Sequence, residues 1–333
     1  MSVSILHRGI EEAGPDWSAP IAFELDMVER ALEHAIDSDV PRAYDLSMQL
    51  LTAGGKRIRP SLMILCTLAS GECDPERMVN LAAAAELMHM ASLVHDDVID
   101  ETRERRGAQT ANETWGNKIS VLGGDYLLSK AFQLLSVHSS PEILRALSAT
   151  AVRMTESEIL QASGEGELGV WEANYWHIIR DKTAEFLGVC CECGAIITGA
   201  DASTREALRE YGVQLGLAFQ ITDDVLDIAG DRALTGKEIG TDLMHGKYTL
   251  PVLLALREDE SGSLRAMLAQ GKLTREQAQE VARRVVDSGA VGDARLAALD
   301  CTELAIKQLA GIPPSEYTQA LSSLASYVIT RER

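Results

Sequence analysis

HDDVIDETRERRG, residues 95–107, sets Asp96, Asp97 and Asp100 close together and then reverses sign through Arg103, Arg105 and Arg106 before Gly107. On an α-helix successive residues turn by about 100°, so positions i and i+4 lie about 40° apart. Asp96 and Asp100 therefore project the same way, with Asp97 to one side. The preceding ASLV is apolar, which sets the cluster against a core rather than on a solvated acidic face. FQITDDVLD, residues 219–227, repeats the spacing in Asp223, Asp224 and Asp227, again behind apolar sequence. Reading both stretches as helix decides the fold.

The surrounding chain agrees with that reading. No proline lies between Pro75 and Pro141 or between Pro141 and Pro251, so long uninterrupted helices are permitted. Ala, Leu, Glu, Met and Gln dominate these gaps, and apolar residues recur at helical spacing, as at Leu81, Ala84, Ala85 and Met88. Alternating strand-like runs are scarce. SGECDPE (70–76), RRGAQT (105–110), SSPE (139–142), GADAST (199–204) and AGDRALTGKEIG (229–240) read as loops between helices. An all-α protein is expected, with residues 1–20 as a loose N-terminal arm and residues 21–333 as one helical domain.

Composition narrows the function. A formal net charge of −19 argues against nucleic acid as partner, because phosphate binding needs basic surface that this chain must build locally. The longest apolar run, LAAAAELMHMASLV at 81–94, is interrupted by Glu86 and His89, short of the roughly 20 apolar residues of a membrane span. MSVSILHRGIEEAG lacks a basic region followed by a sustained apolar core, so a cytoplasmic enzyme is expected. Cysteines 66, 73, 190, 191, 193 and 301 lack the paired spacing of a zinc site and read as reduced, core-filling residues.

Clustered carboxylates repel unless a cation neutralises them. Magnesium prefers oxygen ligands and is usually held by one or two carboxylates together with substrate phosphates. Two DDxxD helices facing one another would bridge a diphosphate through metal. GGKRIRP at 54–60 adds flexible backbone with Lys56, Arg57 and Arg59, a phosphate cradle ahead of a helix start. DKT (181–183), GKEIGTD (236–242) and HGKYTLP (245–251) contribute further lysines beside hydroxyls or glycine.

In this order the motifs, together with GDYLLSKAF (124–132), resemble the trans-isoprenyl diphosphate synthases, the polyprenyl synthetase family. The resemblance implies an all-α bundle around a deep central cavity, a homodimer, and Mg²⁺-dependent condensation of an allylic diphosphate with isopentenyl diphosphate. It implies two or three magnesium ions on Asp96, Asp100 and Asp223, with Asp97, Asp224 and Asp227 supporting. Lys56, Arg59, His89 and Arg106 would hold isopentenyl diphosphate. Arg105, Lys182, Thr183, Gln220, Lys237 and Lys247 would surround the allylic diphosphate, with Arg105 and Lys182 acting in catalysis. Arg103 reads as a surface charge, and no role is assigned to Arg57.

In this family, bulk just upstream of the first aspartate motif limits chain length. Small Ala91 and Ser92 stand there, with Met88 as a deeper floor, and the motif lacks a two-residue insertion. A product of about C30–C50 is expected, with a farnesyl or geranylgeranyl synthase as the alternative, and with transient membrane contact allowed for product release. A terpene cyclase would need a different second metal motif. A non-catalytic partner subunit would be expected to lose aspartates, and a structural metal-binding bundle leaves the lysines unexplained. One departure is Ser157 in TESEILQ, where a glycine is expected and only local packing should change.

Overall fold

The computed structural model describes residues 17–105, 107–230 and 238–331. Most of the expected N-terminal arm, Arg106 and Lys237 lie outside the described residues. Short of that, Ala19–Ile21 forms a 3₁₀ turn that buries Ile21.

The protein is all-α, as the sequence predicts. The helices are α1 Ala22–Ala35, α2 Pro41–Thr52, α3 Ile58–Ser70, α4 Pro75–Ile99, α5 Ala111–Trp115, α6 Asn117–His138, α7 Pro141–Ser163 and α8 Leu168–Ile179. A π-turn, Arg180–Ala184, joins α8 to α9 Glu185–Thr198. Then follow α10 Ala202–Ala229, α11 Thr241–Met244, α12 Leu250–Glu258, α13 Ser263–Leu268, α14 Arg275–Asp287, α15 Ala290–Gln308 and α16 Glu316–Thr330. Among the described residues the one β feature is a hairpin, Glu104–Arg105 with Ala108–Gln109, inside a segment read as loop.

Two compact units share the chain. The first holds the described residues up to Ala146 with Cys190–Glu206 and Ile312–Ser323; the second holds those of Leu147–Val189, Ala207–Gly311 and Leu324–Arg333. The boundaries after residues 146, 189, 206 and 323 fall inside α7, α9, α10 and α16.

In the first unit α4 is the central element. Pro75 opens it, and the Asp74 side chain accepts from the Glu76 amide at 3.1 Å, satisfying a donor that a helix N-terminus leaves orphaned. Met78, Val79 and every residue from Leu81 to Met88 are buried, the mark of a helix enclosed by neighbours rather than half-wetted. Those neighbours are α1, α3 and α6. The α6 contact needs glycine: a Cβ on Gly124 would stand 2.2 Å from His95 Nε2. In the second unit, a Cβ on Gly216 of α10 would stand 2.5 Å from Ala184 Cα, so glycine is what lets α10 approach the π-turn.

All six cysteines are free thiols, and all except Cys73 are buried, as core-filling side chains are. Burial pushes the Cys190, Cys191 and Cys193 thiols above their ordinary range, and Cys301 up to about 11.

Candidate active site

In the first unit the GGKRIRP turn delivers its cations unequally. Lys56 is exposed and Arg59 is half-buried in the first turn of α3. Burial lowers the Arg59 guanidinium from its usual range while Glu86, Cys190 and Asp96 act against that. Arg57, at a left-handed φ of 49°, turns into the protein. Its Nε donates to Glu29 at 2.5 Å, Nη1 to Glu86 at 3.0 Å and Nη2 to the Leu51 carbonyl at 3.2 Å. Arg57 therefore ties α1, α2 and α4 together, and Glu86, the acid in an otherwise apolar stretch, is its partner. Burial alone would lower the Arg57 pKa, but the two glutamates raise it overall.

Arg57, Glu86, His89, Asp97 and Arg105 line one pocket. Asp97 is buried, and Arg105 donates to its Oδ1 from Nε at 3.0 Å and from Nη2 at 2.8 Å. The hairpin makes this closure possible. Glu104 pairs with Gln109 and Arg105 with Ala108, Gly107 takes φ 75°, and Thr110 bonds back to the Thr102 carbonyl at 2.7 Å. Gln49 of α2 braces the hairpin, donating to the Gln109 carbonyl at 2.9 Å while accepting from Trp115 Nε1 at 2.8 Å. Asp96 and Asp100 remain half-exposed at the end of α4. Upstream on the same helix Met88 and Ala91 are buried, and Ser92 donates to the His89 carbonyl at 2.9 Å.

The second unit repeats this division on α10. Asp224 is buried; Tyr175 donates to its Oδ2 at 2.6 Å and Gln220 to its Oδ1 at 3.0 Å. Burial first, and the charge of Asp242 second, push the Asp224 carboxyl up to about 8. Thr183 donates to Gln220 Oε1 at 3.0 Å, which continues the chain into the π-turn. Asp223 is 43% exposed and pairs with Arg331 at 2.7 Å, and Arg331 also stacks 3.7 Å above the Phe219 ring. Asp227 accepts from the Asp242 amide through both oxygens at 3.3 and 3.4 Å, which holds the start of α11. Lys182 pairs with Glu158 at 2.5 Å and donates to Gln161 at 3.4 Å.

Lys182, Gln220, Asp224, Asp242, Lys247 and Thr249 line a pocket in this unit. Thr249 occupies the N-cap of α12 yet its hydroxyl caps nothing, and its buried Oγ1 has no hydrogen-bond partner within the protein. Such an atom calls for a ligand or solvent oxygen. The sequence assigned no role to Asp242, Tyr175 or Gln49. Only Asp242 left a signal, as the acid closing GKEIGTD.

In both motifs, then, the first aspartate is reachable from solvent and the second is buried and locked by donors. Among the described residues no three His, Cys, Asp or Glu side chains converge into a ready-made cage. Half-exposed carboxylates without a cage fit a hard cation whose remaining ligands come from a phosphate. Arg105 in the first pocket and Lys182 and Lys247 in the second are the cations that suit the phosphate itself, since Arg57 is committed to Glu29 and Glu86.

The comparisons agree with this chemistry. An all-trans-nonaprenyl-diphosphate synthase (geranyl-diphosphate specific) of Rhodobacter capsulatus is 36% identical over 319 residues, covering 95% of this chain and 97% of its own length. A short chain isoprenyl diphosphate synthase of Methanothermobacter thermautotrophicus is also 36% identical, over 92% of this chain and 96% of its own. The crystal structure of a polyprenyl synthase from Caulobacter crescentus, complexed with calcium and isoprenyl diphosphate, superposes with a TM-score of 0.90 at 34% identity, over 95% of this chain and 97% of that one. Residues 40–285 match the polyprenyl synthetase family as a whole, and with both acidic motifs and their cationic partners intact the chain belongs to that family.

Proposed function

We propose that the protein is a prenyltransferase that condenses isopentenyl diphosphate head-to-tail with an allylic diphosphate, giving a trans-polyprenyl diphosphate of about C30–C50. One observation carries this reading: each acidic motif keeps its leading carboxylate reachable while the following one anchors the fold, beside lysine or arginine in the same unit. Asp96, Asp100 and Asp223 would hold two or three magnesium ions, with Asp227 supporting from the helix end. Asp97 and Asp224 serve the metal site by positioning its neighbours. Bound magnesium would supply Lewis-acid neutralisation of the departing diphosphate.

This chain's own residues supply the rest. Lys182, Lys247 and Arg105 offer positive charge to the allylic diphosphate, and Lys237 extends the same set. Thr183, whose hydroxyl donates to Gln220 at 3.0 Å, would border the same diphosphate together with it. Lys56, Arg59, His89 and Arg106 would orient isopentenyl diphosphate for attack through its double bond. Residues 21–333 would act as one catalytic domain in the cytoplasm, and among the described residues no helix is long and apolar enough to cross a membrane. Val121, Leu122 and Phe132 of α6 are 41%, 55% and 45% exposed, a surface suited to a second copy of the chain. Sedimentation of Leu122→Asp as a monomer tests that homodimer.

A shorter farnesyl or geranylgeranyl product is the second reading, favoured by the equal identity to a short-chain relative. Small Ala91 supports the longer one. The function is tested by incorporation of radiolabelled isopentenyl diphosphate in magnesium buffer. Asp96→Asn and Asp223→Asn should each lower incorporation by roughly 100-fold or more, the scale on which removing one preorganised electrostatic group acts. Incorporation at wild-type rates would remove the metal assignment.

A further inference from the structure

Ser157 is buried in α7, and its hydroxyl donates to the Ile178 carbonyl at 3.0 Å. That carbonyl lies just ahead of the π-turn, where the backbone register changes and Lys182 and Thr183 emerge. Two further residues of α7 act on the same turn. Glu158 holds the Lys182 ammonium at 2.5 Å, and Gln161 donates to Glu158 at 3.0 Å while accepting from Lys182 at 3.4 Å. From the opposite side, Gly216 of α10 leaves room for Ala184, and Gln220 one turn later receives the Thr183 hydroxyl at 3.0 Å. A π-turn within α-helix is a costly register that persists only where its surroundings hold it, and such turns occur often at functional sites. A side chain inserted at a helix carbonyl is one physical means of shifting the hydrogen-bond ladder.

We infer that Ser157 is a positioning residue for the allylic site: by bonding the Ile178 carbonyl it holds the π register that presents Lys182 and Thr183 to the diphosphate. Its role reaches beyond local packing, the only effect expected from the sequence. The inference rests on the prenyltransferase reading for its functional half and on geometry alone for its structural half.

Two measurements on the full-length protein separate these halves. In hydrogen exchange without substrate, Ser157→Ala should speed exchange of the 182–185 amides by roughly three- to tenfold, the range of one buried hydrogen bond, while α4 is unchanged. In steady-state kinetics the KM for the allylic diphosphate should rise by a similar factor, with the KM for isopentenyl diphosphate within about twofold of wild type. Ser157→Thr keeps the hydroxyl and should restore both values. A variant that only lowers the melting temperature, with exchange at the π-turn and both KM values unmoved, overturns the inference. So does an equal rise in the two KM values. If exchange changes as expected but wild-type protein condenses nothing with any primer, the functional reading fails and the tether to the π-turn stands.

Discussion

Arg105 reaches back along the chain to Asp97, placing Nε and Nη2 at 3.0 and 2.8 Å from the same carboxylate oxygen. Asp97 is buried whereas the Arg105 side chain is 35% exposed, so the pair is asymmetric: losing the arginine strands a charge, and losing the acid leaves a cation that solvent can reach. Arg105→Met should cost about 2–3 kcal/mol in urea unfolding, discounted for that exposure, and Asp97→Asn about 1–2 kcal/mol. The reverse ordering would contradict the assignment of Asp97 as the inward-facing member of its motif.

Gly124 and His95 test how the first motif is held. A methyl at Gly124 would meet the His95 ring, which also bonds the Val121 carbonyl at 3.2 Å. Gly124→Ala should cost about 1–3 kcal/mol through overpacking. Because Asp96 is the next residue, the magnesium concentration for half-maximal activity should also rise. Adding His95→Ala should recover part of both losses, and additive effects of the two changes would count against the contact.

Ala91 is buried two turns from the end of α4. Ala91→Phe should shorten the product, at a cost of about 1–3 kcal/mol for the added bulk. Chromatography of dephosphorylated products reads the outcome, and unchanged length in a folded variant removes Ala91 from the cavity wall.

Thiol reactivity should divide five to one. Cys73 is half-buried; burial and then Asp74 raise its pKa, so labelling should be slow at neutral pH and accelerate in mild alkali. The other five thiols are buried, and Cys190, Cys191, Cys193 and Cys301 are pushed up by that burial. They should label only as the protein unfolds in denaturant. Two or more fast thiols in the native protein would contradict the core-filling role.

What the sequence made legible was local. The i, i+4 spacing of Asp96 and Asp100, and the Pro- and Gly-marked breaks near residues 70–76, 139–142 and 199–204, depend on a few neighbouring positions, and the helices end and restart there. Other partners of the motif residues come from far along the chain. Glu29 claims Arg57 and Tyr175 claims Asp224, and neither stands out from the ordinary face of an amphipathic helix. The π-turn is equally silent, since one shifted hydrogen bond leaves the 3.6-residue apolar period almost unchanged. Ser157 differs from expectation by a single side chain, and its effect became visible only with the Ile178 carbonyl beside it.

The central claim, prenyl transfer onto an allylic diphosphate, is tested most directly by one incubation series. Purified protein, magnesium and radiolabelled isopentenyl diphosphate are combined with geranyl, farnesyl or geranylgeranyl diphosphate, and the products are sized. At least one primer should be extended to about C30–C50, with no product once the metal is chelated. No incorporation with any primer, or release of a cyclic hydrocarbon in place of a longer diphosphate, would contradict it.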